Sequence, residues 1–172
     1  MPASRGAVLL VAGVWLGMLV ASWIAATASF GTVDRVLGPE IRAEMASRLA
    51  PLAADDRRIA LRHLASEINR WMFRQLGLAQ IALAVGLVVS AWPAGRAIRG
   101  LAVAVVVIVL IQASLAPAIE SLGRSIDFVP RPLPPEVGRR FGSLHGAFVL
   151  LDLSKAALLL GAACLLARLP LK

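Results

Sequence analysis

Charge is missing from three long stretches of this 172-residue chain: no Asp, Glu, Lys or Arg occurs between Arg5 and Asp34, between Arg74 and Arg96, or between Arg99 and Glu120. The stretches run for 28, 21 and 20 residues. A helix needs about 20 apolar residues to cross a hydrocarbon core of about 30 Å, so each can hold a span. Composition agrees: 59% of residues are hydrophobic and 16% are charged, against about 45–50% and about 25% in soluble domains. These numbers exclude a disordered chain, a disulfide-stapled secreted domain and an ordinary soluble enzyme.

The hydrophobic runs predict an all-α, single-domain, four-helix transmembrane bundle with spans at residues 7–30, 76–92, 101–119 and 147–167. Trp92-Pro93 closes the second span as an interfacial aromatic followed by a helix terminator. The third span is rich in valine and isoleucine, which favour strand in water. In lipid the backbone must satisfy itself, so helix is expected there too, bending or ending at Pro117. The first span carries a positive Arg5 and an Ala26-Thr27-Ala28 triplet of the form cut by signal peptidase. Its length and its small-residue stripe predict a retained anchor, and a mature protein starting at Ser29 contradicts that reading. The stripe is Gly13, Gly17, Ala21, Ala25 and Ser29 at four-residue spacing, predicted to let another helix approach closely. Shorter small-residue faces occur at Ala82, Gly86 and Ser90 and at Ala157 and Gly161.

Residues 31–75 form the sizeable polar segment. A short helix is expected from Gly38-Pro39-Glu40, with Ile41, Met45 and Leu49 along one edge and Pro51 as its stop. A second begins at Asp55-Asp56. Leu61, Leu64, Ile68, Trp71 and Met72 occupy one face, and Arg58, Arg62, Arg70 and Arg74 the other. That profile predicts a helix lying in the lipid interface, its guanidinium groups toward anionic headgroups and Trp71 at headgroup depth. The alternative is a solvated amphipathic helix over the mouth of the bundle. Either runs into the second span with a bend near Gly77. Residues 129–136, Val-Pro-Arg-Pro-Leu-Pro-Pro-Glu, form an extended, stiff connector without helix or sheet.

The net charge of +8 points to lipid phosphates and water, not to nucleic acid, because the arginines lie between hydrophobic runs and no aromatic-interleaved basic motif is present. The expected partners are membrane lipids and another copy of the chain or another membrane protein. Cys164, the single cysteine, sits in an apolar run and reads as a small hydrophobe. Four spans put both termini on one side, with Arg5, Arg96, Arg99, Arg168 and Lys172 and no acids; twelve arginines and nine acids lie on the other. Counting positive residues in loops favours cytoplasmic long loops, while Arg5 argues the reverse. A bacterial inner membrane is the expected location.

The fourth span carries the ionisable groups: His145 at its start, then Asp152 and Lys155. A charge at the centre of a membrane helix costs about 2.5–3.5 kcal/mol on insertion scales, so such residues face the bundle and find partners. Asp152 and Lys155 are three apart and can meet on one face; His145 lies two turns before Asp152 on the same side. The three form a candidate polar seam, read in three ways. In the structural reading the pair is self-neutralising, Gln112 or Ser114 adds hydrogen bonds and His145 caps the interface. In the transport reading the seam is a proton or ion relay. In the third, His145 ligates haem or a metal, although no Cys/His cluster accompanies it. No catalytic triad, phosphate loop or carboxylate pair can be assembled, so no enzymatic activity and no cofactor are expected.

Phe141-Gly142-Ser143-Leu144-His145-Gly146, followed by Val149-Leu150-Leu151-Asp152-Leu153, resembles the last span of the transmembrane protein 205-like family. Leu115-Ala116-Pro117-Ala118-Ile119-Glu120 is similar to the end of that family's third span, and Val14-Trp15-Leu16-Gly17 to its opening helix. The resemblance implies a four-helix membrane domain of unknown function and no particular reaction. Residues 31–75 are longer and more charged than the usual first connection. Asp152 and Lys155 stand where the family has a neutral polar residue, often Asn. A more distant likeness, to copper-resistance and haem-associated four-span domains, rests on the histidine near a helix end.

Overall fold

The computed structural model describes residues 2–39 and 41–168. It is all-α among the described residues: α1 (Pro2–Val36), α2 (Ala43–Leu49), α3 (Ala54–Ala91), α4 (Arg96–Ser125) and α5 (Pro135–Arg168). The four long helices are long and apolar enough to cross a membrane, the arrangement of a multi-pass membrane protein. They pack in a ring, α1 on α3, α3 on α4, α4 on α5 and α5 back on α1. Successive helices run antiparallel, which returns Arg5 of α1 to the Ala167 carbonyl of α5 at 3.5 Å.

The inward face of each helix follows alternating steps of three and four residues, the spacing that keeps a seam toward its neighbours. In α1 it is Val8, Ala12, Trp15, Leu19 and Ser22; in α4 it is Ile98, Ala102, Val105, Val109 and Gln112. In α5 it is Asp152, Lys155, Leu159, Ala162 and Leu166, and α3 contributes Gln80, Ala84, Leu87 and Ala91. The core is thus apolar toward the termini and changes to polar at Ser22, Gln80, Gln112 and Asp152. Large apolar side chains such as Leu10, Val89, Leu110 and Leu150 cover the outside, as expected where lipid is the solvent.

At 38 residues α3 is about 57 Å long, well beyond the hydrocarbon thickness. It is one continuous helix from Ala54 through Gly77 to Ala91, so the polar helix runs into the second span, as the sequence suggested. Leu64, Ile68 and Trp71 face outward, Trp71 at 64% exposure. Arg62 and Arg70 turn to the cavity between the helices, while Arg58 and Arg74 stand at its rim with side chains 51% and 58% exposed. The apolar face of this half of α3 looks out, and its arginines border the cavity. The interior offers carboxylates, and carboxylate partners in a confined space hold guanidinium groups better than open solvent does.

Other boundaries shift in the same direction. Helix α2 starts at Ala43, later than Gly38-Pro39 suggested, and Glu40 lies outside the described residues. Pro117 does not end α4, which runs on to Ser125. The α3–α4 turn is a short 3-10 segment, Trp92–Ala94, leading into Gly95 at φ +107°, a conformation open to glycine without a Cβ penalty. The connector has no helix or strand through Pro134. Pro135 and Glu136 form the first turn of α5, where a proline lacks a donor that would be orphaned anyway and the acid favours the positive end of the dipole.

Candidate functional site

Lys155 lies at the centre of the bundle with 0% exposure, and Asp152 one turn before it with 2%. The Lys155 ammonium donates to Asp152 Oδ1 at 2.9 Å, to Gln112 Oε1 at 2.6 Å and to Gln80 Oε1. Three donors meet three acceptors, the full capacity of an ammonium group. Asp152 also accepts from Gln112 Nε2 at 2.8 Å and from the Trp23 indole at 3.5 Å. Gln112 Nε2 further donates to the Phe148 carbonyl at 3.3 Å. The ammonium stands 5.9 Å from the ring centre of the buried Trp15, within cation–π range. Trp23 belongs to α1, Gln80 to α3, Gln112 to α4 and the ion pair to α5, so one polar cluster joins all four long helices.

Of the expected seam, the pair and Gln112 come together. Ser114 does not take part; its hydroxyl donates to the Ile111 carbonyl of its own helix. His145 is exposed and stacks on Phe141, ring centres 5.9 Å apart and 5° from parallel, and among the described residues it belongs to no group of three or more potential metal ligands. Gln80, Trp23 and Trp15 complete the cluster. Gln80 had a readable signal, an amide within an otherwise apolar run that lipid cannot satisfy.

Within the bundle the small-residue stripe is not a packing face. Gly13, Gly17, Ala21 and Ala25 are exposed on the outer side of α1, and a side chain built at Gly13 or Gly17 meets nothing within 4 Å. Of the shorter faces, Gly86 packs inward, its nearest neighbour the Val11 side chain at 3.7 Å, while Gly161 meets nothing.

Beyond the seam the helices part around a cavity of about 1170 Å³. Gln80 and Gln112 lie on its wall, so the amides separate the cavity from the ion pair. Toward the amides its lining is apolar, with Phe73, Val109, Ile119 and Phe148 and, at the open side, the exposed Ile81 and Ala116. Nearer the polar end it is lined by Arg58, Arg62, Arg70, Arg74 and Arg131 against Asp55, Glu120 and Asp127. Three of these arginines have carboxylate partners: Arg58 with Asp34 at 3.4 Å, Arg74 with Glu120 at 3.0 Å, and Arg70 with Asp127 at 2.6 Å and Glu67 at 2.5 Å. Arg124 continues the network, reaching Glu67 at 2.8 Å and Glu120 at 3.0 Å, and fastens α4 to α3.

Arg62 lies over the Phe30 ring at 5.5 Å from its centre. Among the described residues neither Arg62 nor Arg131 has a carboxylate within ion-pair distance. The Arg131 guanidinium is held below the ordinary arginine value, first by desolvation and then by repulsion from Arg62, with Asp127 pulling the other way. Asn69, 8% exposed and also on the cavity wall, donates to Ser29 Oγ at 2.7 Å and leaves its Oδ1 without a partner.

The fold brings His63, Glu67 and Asp127 together, with potential ligand atoms within 4.8 Å of one another, a grouping invisible in sequence. Arg70 already donates to both carboxylates there. A divalent cation would have to share them with a guanidinium, so the arrangement reads as part of the ion network. No family model, curated protein or solved structure matches the chain.

Proposed function

We propose that this chain is a non-catalytic structural or interaction protein of a bacterial inner membrane, a four-span bundle locked by the Asp152–Lys155 seam. The observation that carries the reading is the saturation of Lys155 by acceptors from three helices. The ion pair is made within α5, but the two amides that complete it come from α3 and α4, so an arrangement that moves either helix leaves part of a buried ammonium's hydrogen-bonding capacity unmet. The partial likeness to the transmembrane protein 205-like family agrees with such a domain and adds no reaction. Lipids and neighbouring membrane proteins are its partners in this reading, met by the outer apolar faces.

One observation favours a second reading, a proton or ion relay. Gln80 and Gln112 touch both Lys155 and the cavity, so the seam is one amide away from a space open to small molecules. Exchanging the charges, Asp152→Lys with Lys155→Asp, separates the two. A lock tolerates the exchange with a modest drop in thermal stability in detergent and leaves no ion flux to lose. If wild-type proteoliposomes take up protons under an imposed gradient and the exchanged protein, still folded, does not, the lock reading is overturned.

A further inference from the structure

The cavity beyond the seam has a feature that bundle packing does not use. The largely apolar part of its wall on α4 runs from Val109 to Ile119, about 15 Å of helix. At its polar end stand two guanidinium groups, Arg62 and Arg131, that repel each other and have no carboxylate partner among the described residues. Every other arginine on the cavity wall is paired. Two guanidiniums without an ion-pair partner, Arg131 with only the more distant pull of Asp127, stand above an apolar wall and present a head-and-tail pattern: charge for an anion at one end, hydrocarbon contact along the other. The volume, about 1170 Å³, lies just above the roughly 300–1,000 Å³ of small-molecule sites.

We propose that the cavity binds a single-chain anionic amphiphile drawn from the membrane. Its phosphate or carboxylate head sits between Arg62 and Arg131, and its alkyl chain lies along Phe73, Ala116 and Ile119 toward Gln80 and Gln112. Guanidinium forks match phosphate and carboxylate oxygens in paired hydrogen bonds, which supplies the head contact. The chain leaves one apolar solvent for another, so the wall holds it by shape and van der Waals contact, a contact that inorganic phosphate forgoes. A neutral lipid forgoes the head contact instead and leaves the two guanidiniums facing each other. Asn69 Oδ1, the unmet acceptor on the wall, suits a hydroxyl on the ligand. This inference is independent of whether the seam is a lock or a relay.

The test uses the full chain purified in a neutral detergent, offered dodecyl phosphate, dodecanol or inorganic phosphate and examined by native mass spectrometry. The expected result is one dodecyl phosphate per chain, dodecanol at least tenfold weaker, and inorganic phosphate neither retained nor able to displace the amphiphile. The double variant Arg62→Gln, Arg131→Gln should weaken dodecyl phosphate at least tenfold. Ala116→Trp should do the same from the other end, while Arg168→Gln on the far side changes nothing. Equal retention of the phosphate and the alcohol overturns the proposal, as does displacement by inorganic phosphate at equal concentration, which marks a bare anion site. The comparison of the three ligands on the unaltered chain decides the matter even where a variant fails to fold.

Discussion

The bundle contains two polar regions that solve opposite problems. At the level of Lys155 the helices supply one charge of each sign and the amides to saturate them, all sealed from solvent. Toward the polar end they supply five arginines and three acids around an open cavity, and two of the arginines are left over. In the first region the ammonium has its full set of acceptors, although the Trp15 indole N–H beside it has no partner, and the saturated ion pair fixes structure. The second has unspent positive charge and open space, and it can accept something else. Buried polarity in a membrane helix is thus no single signal; whether its hydrogen-bonding capacity is used up decides what it can do.

The contrast can be broken most forcefully at Lys155. Lys155→Met leaves Asp152 a buried, uncompensated charge and should destabilise the bundle by about 3–5 kcal/mol, measured by reversible unfolding in detergent. Gln80→Leu removes one acceptor from the ammonium while keeping the ion pair, and should cost about 1–3 kcal/mol in the same assay.

Crowding the helix faces sharpens the comparison further. Gly86→Leu drives a side chain into Val11 and should cost about 1–3 kcal/mol by overpacking. Gly17→Leu, where nothing lies within 4 Å, should stay within about 0.5 kcal/mol. A large loss at Gly17 in this single-chain unfolding assay would mean that the outward stripe packs after all.

Salt separates the two regions more gently. The half-exposed Arg74–Glu120 pair should weaken as ionic strength rises, so that Glu120→Gln shifts stability by about 1 kcal/mol or less at low salt and less still at high salt. The effect of Lys155→Met should be the same in both.

The seam's ion pair was legible because charge in lipid demands a partner and a three-residue separation provides one. Gln112 followed for the same reason. Gln80 and Trp23 were harder, since which helices flank α5 is a matter of topology that local spacing does not state. The stripe on α1 misled for a physical reason. In water, hydrophobicity marks the inner face of a helix; in lipid both faces are apolar, and small residues at four-residue spacing look like a packing face whichever way they point. The buried face of α1, from Val8 to Ser22, is marked by its three-and-four spacing and by Ser22 and Trp15, not by greater hydrophobicity. In α3 the partners of Arg58, Arg70 and Arg74 are carboxylates brought from Asp34, Asp127 and Glu120, far along the chain, which local spacing does not state.

The most direct test of the sealed seam is a double-mutant cycle on Asp152 and Lys155, read by unfolding free energy in detergent. If the pair is a saturated lock, Asp152→Leu and Lys155→Met should each be severely destabilising, and the double variant should recover most of the loss because neither charge is left unpaired. If the two losses simply add, the residues do not depend on each other, and the seam is not what holds the four helices in register.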